Sequence, residues 1–253
     1  MELGVLALSV GMATAAGLVG CFAVMRKMTL ASDAISHVAL PGIAIAVLFG
    51  VHPVLGGLAT LLLGTLIIWA VESRTRMATE TVIGVVFSAA LAVGAMLTRG
   101  EDLIEALLGN AGGPTAWEVG LGLTGATAVI VFILGARHRL VIALVSPDLA
   151  RTTGIHVARL SLLYLLAFSL TVALGLRYLG VLLMGSLIII PAATAKHIAR
   201  KLGSMLTVAV AVAVVSTLTG TWLARWIHRE TGPVIIAVAA GIFFLGLFVR
   251  RRA

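Results

Sequence analysis

Asp33 and His37 stand in "TLASDAISHVALPG", residues 29 to 42, at the mouth of an apolar run. Four residues apart, they share one face of a helix, with Ser36 beside them and Ser32 one residue before. Carboxylate oxygen with imidazole nitrogen is a donor set that suits zinc, manganese or ferrous iron. An ionisable pair at the edge of a membrane span is costly, and it reads first as a functional site. Spacing alone leaves a second reading open, in which Ser32 or Asp33 caps the helix and His37 bonds a neighbouring carbonyl. One such pair is too few for a tetrahedral metal site, whereas two copies across a two-fold axis supply four donors.

The remaining histidines point less clearly at a cation. His52 precedes a proline in the short turn "GVHPVL" and reads as a surface residue, while His138, His156, His197 and His228 lie near basic residues. The single cysteine, Cys21, lies within an apolar run and reads as packing, so neither an internal disulfide nor a cysteine cluster is expected. A phosphate-binding loop needs a lysine after a glycine. Lys27, Lys196 and Lys201 follow Arg26, Ala195 and Arg200, so the chain has no such loop. Energy for any pumping must come from another subunit or from an ion gradient.

The elements that position Asp33 and His37 follow from composition. Of 253 residues, 60% are hydrophobic and 11% charged, with 28 glycines, which describes a polytopic membrane protein. Apolar stretches near 3–25, 34–50, 54–72, 80–98, 119–136, 158–176, 178–195, 203–224 and 233–249, several of them free of charge, are long enough to cross as helices. The expected fold is all-α with about nine transmembrane helices, or eight if the segment at 178–195 is broken. The alternation of a membrane barrel is absent. Fourteen of the 18 Lys and Arg fall on one side of this scheme, leaving only Arg99, Arg177, Arg225 and Arg229 on the other. That asymmetry predicts an amino terminus outside and a cytoplasmic carboxyl terminus. The first basic pair, Arg26 and Lys27, follows the first apolar run, so that run is expected to be a retained helix. The net charge of +8 is scattered over short connections and makes no nucleic-acid face.

Two spans carry candidate helix breaks: Pro41 and Gly42 in the second, Gly185 and Pro191 in the seventh. Paired interruptions point to a transport pathway, with ordinary kinking as the alternative. The outside connection holds Glu101, Asp102, Glu105 and Glu118, a surface able to dock a basic partner or collect cations, or a plain solvated loop. The inside connection "RHRLVIALVSPDLARTTGIHVARL", residues 137 to 160, is the longest on its side. Ser146 or Asp148 is placed to cap a short helix bearing Leu149, Ala150 and Thr153, with Gly154 at its end. Such a helix suits docking into a partner's groove.

"GLVGCFAVMRKMTLASDAISHVALPGIAIA" resembles the signature of the permease subunits of bacterial zinc and manganese ABC importers, with Ser32 in place of the usual Gly and Val38 of the usual Ala. "SPDLARTTGIHVARL" resembles the cytoplasmic coupling segment of that family, and "GVLLMGSLIIIPAATAKHIARKL" its later block, with Ser186 where Ala is common. The resemblance covers nearly the whole chain, 1–253, as one permease domain with a coupling segment at 146–157. It implies a homodimer in the cell membrane above two copies of a separate ATPase, fed by an extracytoplasmic solute-binding protein. Asp33 and His37 are then the metal ligands of the pathway, Ser36, Pro41, Gly42 and Pro191 its helix breaks and lining, and Ser146, Asp148, Ala150 and Gly154 the coupling contact. The expected cargo is zinc or manganese, or iron, bound transiently, with no permanent cofactor, no catalytic residue and no enzyme activity in this chain. The import direction comes from the resemblance alone.

Two other functions use the same residues. A self-sufficient carrier driven by an ion gradient would need no ATPase, and a permease for metal chelates would share the breaks and the coupling segment. The acid and imidazole favour a bare ion over a chelate.

Overall fold

Lipid offers no partner to backbone N–H and C=O groups, so uncharged stretches of this length fold as helices. The computed structural model describes residues 3–29, 31–75, 77–97, 115–179 and 181–248, with the side chains at 3, 33, 176–179 and 181–183 outside that set. The helices are α1 (Leu3–Met25), α2 (Ala31–His37), α3 (Leu40–Leu48), α4 (Pro53–Arg74), α5 (Thr79–Leu97), α6 (Ala116–Val145), α7 (Pro147–Thr152), α8 (Val157–Leu179), α9 (Val181–Ile198), α10 (Leu202–Trp226) and α11 (Thr231–Leu247). No strand occurs among the described residues. Among the described residues six helices, α1, α4, α5, α6, α8 and α10, are long and apolar enough to cross a membrane, and shorter apolar helices cover Ala34–Leu48, Met184–Ile198 and Thr231–Leu247. The protein is all-helical and multi-pass. Glu101, Asp102 and Glu105 lie outside the described residues.

α1 is the central helix. Buried positions make up 61% of its apolar window, against 17% for α5, and it packs against α6, α9 and α10. Ala13, Ala15, Ala16 and Ala23 are fully enclosed, small residues that let helix backbones approach where hydrophobic burial gives no drive. Around this centre, α9 packs on the α10–α11 hairpin, and α4 joins α3, α5 and α8. Several hydroxyls in the spans are satisfied locally: Thr65, Thr171 and Thr217 donate to the carbonyls of Leu61, Ala167 and Ala213, each at 2.8 Å. Between helices, the Tyr164 hydroxyl donates to the Val19 carbonyl at 3.1 Å, and the hydroxyls of Thr65 and Ser169 bond each other.

α1 ends in a left-handed turn at Lys27, φ 60°, where the N–H of Met28 reaches back to the carbonyl of Ala23 at 2.9 Å.

Two expectations are corrected. The stretch 137–145 is not the start of a connection, because α6 runs on through Arg137, His138 and Arg139 to Val145. Nothing in "RHRLVIALV" breaks a helix, and the first breaker is Pro147. At 30 residues, α6 is about 45 Å long, well beyond a hydrocarbon core of ~30 Å. Nor does Pro191 break its span: α9 is one helix with Pro191 inside it. Ala192 and Ala195 are fully buried beside it, and α1, α10 and α11 clasp the helix, which holds it together across the lost backbone bond.

Candidate metal pathway and coupling segment

The second apolar span is two helices. α2 stops at His37 and α3 starts at Leu40, with Val38 and Ala39 between them in tight turns: Val38 N–H to Ile35 O at 3.0 Å, Ala39 N–H to Ser36 O at 3.3 Å. The cause is Pro41, which sits in the first turn of α3 and has no N–H to direct at the carbonyl of residue 37. Gly42 follows because α3 and α4 cross with backbones touching there. A Cβ at Gly42 would fall onto the carbonyl oxygen of Gly56, and one at Gly56 onto that of Gly42.

α2 is wedged between α9, α5 and α8, so Asp33 and His37 belong to an internal helix and not to a surface turn. Ser32 and Ser36 are fully buried. Ser36 donates to Ser32 O at 2.7 Å, while Ser32 donates to Thr29 O at 3.0 Å and reaches Gly185 O on α9 at 3.4 Å. Ser32 therefore ties α2 to the preceding turn and to α9. Positions 33 and 37 lie one turn apart on this short helix. The His37 ring is half-buried and stacks at a tilt on Phe87 of α5, centroids 5.6 Å apart. Among the described residues no three of His, Cys, Asp and Glu gather to hold a metal. Pro41 and Gly42 are buried at the break; Pro191 is buried within α9, against which α2 packs.

At the candidate coupling segment, the Ser146 hydroxyl accepts from the Leu149 N–H at 3.3 Å and caps α7. Asp148 is not the cap. It stands exposed in the first turn, 3.4 Å from Arg151. Gly154 follows with φ 78°, a conformation only glycine adopts freely, and turns the chain into α8. Ala150 is the correction here: it is completely buried, its small side chain letting α7 lie flat on α6 and α8, and it presents nothing outward. Leu149 is the apolar residue on the free face, 56% exposed.

At the opposite end of the bundle, His52 in the α3–α4 turn lies 3.7 Å from Glu118 and edge-on to Trp117, both at the start of α6. Glu118 also takes the N–H and hydroxyl of Thr115 at 2.8 Å, closing the first turn of α6. His52 is a surface residue with a specific neighbour. Neither this pair nor Phe87 beside His37 could be found from spacing, since each joins residues some fifty or more positions apart.

The chain matches the family model described as "ABC 3 transport family" over residues 2–250. It is 31% identical to the manganese transport system membrane protein MntC of Halalkalibacterium halodurans over 237 residues, 92% of this chain and 81% of that one. It is likewise 31% identical to the high-affinity zinc uptake system membrane protein ZnuB of Haemophilus influenzae over 242 residues, covering 92% and 91%. In fold it is similar to PsaBC from Streptococcus pneumoniae, solved in complex with Fab, with a TM-score of 0.83 at 27% identity over 98% of this chain and 91% of that chain. With the residues 2–250 accounted for by a single family model, this chain belongs to the ABC 3 transport family.

Proposed function

We infer that this protein is the membrane-spanning permease subunit of an ATP-binding cassette importer that moves a divalent transition metal, zinc or manganese, into the cell. The observation that carries the reading is the interrupted second span, which holds Asp33 and His37 on a short internal helix in a chain of this family. The site is a transient one. A carboxylate and an imidazole per chain, doubled by a two-fold axis in a homodimer, bind an ion loosely enough to release it, and a helix ending at His37 can turn without dragging a whole span.

In this reading nine segments cross, counting α2 with α3 as one, with the amino end of α1 outside and the end of α11 inside. Arg26 after α1 and Arg151 and Arg159 on either side of the α7–α8 turn support that orientation, since they gather at one end of the bundle. ATP is hydrolysed on a separate subunit that docks on α7, with Leu149 as its apolar contact and Ser146 and Gly154 shaping the turn. A solute-binding protein delivers the metal at the opposite end, near His52 and Glu118.

The test is elemental analysis of cells with and without the gene, starved of each metal in turn. The reading expects loss of zinc or manganese accumulation that returns with the gene only when an ATPase partner is present. Accumulation that persists without any ATPase would favour a gradient-driven carrier instead.

A further inference from the structure

An open cavity of about 860 Å³ lies between the last turns of α1 and α4 and the α7–α8 turn, its wall including Arg26, Trp69, Glu72, Arg151, Arg159 and Ser161. The metal reading does not use it. Its central charges are half-satisfied. Arg26 Nη2 donates to Ser161 Oγ at 3.1 Å and the guanidinium lies 5.0 Å from the Tyr164 ring centroid, yet Nη1 is buried with no hydrogen-bond partner. Glu72 accepts from the Thr79 hydroxyl at 2.7 Å, and its second oxygen, Oε2, is likewise buried with none. The two charges share a wall and form no ion pair, and each withholds one polar atom from water without return.

A simple anion would answer Arg26 and leave Glu72 as it is. A simple cation would do the reverse. A ligand carrying a phosphate and an ammonium a few bonds apart answers both, once each side chain rotates its hidden atom toward the cavity. The rest of the wall agrees. Exposed Arg151 and Arg159 add positive charge at the mouth for a phosphate. The Trp69 indole N–H is committed to Ala158 O at 2.8 Å, which ties this aromatic ring into the cavity wall. Tryptophan with basic helix ends is the pattern of the headgroup layer, where pockets between spans take lipid headgroups.

We propose that this cavity binds a phosphoethanolamine group, its phosphate on Arg26 and its ammonium on Glu72. The proposal rests on the bundle spanning a membrane with this end at a headgroup layer, and is independent of which metal moves or what drives it.

The test uses the full-length permease in nanodiscs of equal phosphatidylethanolamine and phosphatidylglycerol, the same in both leaflets so that orientation does not matter. Native mass spectrometry after transfer to detergent reads the lipid retained. The wild type should keep phosphatidylethanolamine over phosphatidylglycerol by about tenfold, the size of one charge-assisted bond. Glu72→Gln should keep phospholipid but lose the preference. Arg26→Gln should keep neither lipid, and Arg26→Lys should recover part, which separates lost binding from lost folding. Displacement by free phosphoethanolamine with the same variant dependence would assign the same chemistry to a soluble source. Equal retention of both lipids by wild type and Glu72→Gln overturns the proposal. So does expulsion of the lipid on adding the ATPase partner, which would make the cavity a protein socket.

Discussion

The His37 ring rests against Phe87 across the α2–α5 contact, 5.6 Å between centroids. A metal-binding imidazole needs its ring plane held, and an aromatic neighbour does this without competing for the nitrogen. Asp33→Asn and His37→Ala should therefore each abolish metal uptake at unchanged protein level, while Phe87→Leu should weaken it only several-fold. Radiometal uptake with immunoblotting checks all three. Normal uptake by both ligand variants would sink the site.

Gly42 and Gly56 hold α3 against α4 at backbone contact, and neither can yield to a methyl group. Gly42→Ala should lower stability by about 2 kcal/mol, the scale of overpacking in a filled interior. Gly84, with open space where its Cβ would be, is the control, and Gly84→Ala should raise stability by about 0.5–1 kcal/mol. Thermal unfolding in detergent separates the two, and equal shifts would mean the α3–α4 crossing is looser than described.

On α7, exposure divides adjacent residues. Leu149→Glu should leave the permease folded and remove stimulation of its ATPase partner, whereas Ala150→Glu should cut folded yield by burying an unpaired carboxylate. Size-exclusion profiles beside ATPase rates distinguish them. A well-folded Leu149→Glu protein that still transports at the wild-type rate would move the coupling contact off this helix.

Sidedness has a direct test. In a Cys21→Ser background, a cysteine at exposed position 52 should label in intact cells, and one at exposed position 148 only after permeabilisation. The reverse pattern would invert the bundle.

The spans were legible because uncharged runs admit few other structures, and the Asp33–His37 spacing was legible because both residues sit on one helix. What escaped was decided between helices. Pro41 and Pro191 look alike as letters, but the first meets a stretch where the chain can part into α2 and α3, while the second is clasped by α1, α10 and α11. Arg137, His138 and Arg139 read as a loop because charge usually ends a span, yet the residues beyond them have no reason to leave the helix. In sequence Ala150 belongs to a short capped helix with nothing to turn it inward, and its complete burial depends on where α6 and α8 run.

α6 joins the Glu118 end of the molecule to Ser146 as one unbroken shaft. A helix transmits its own phase: inserting one residue near exposed Gly135 would advance everything beyond it by about 100° and swing α7 off α8. Length changes in this shaft should therefore be tolerated only near whole turns, of three or four residues, with ATPase stimulation rising and falling along an insertion series at the helical period.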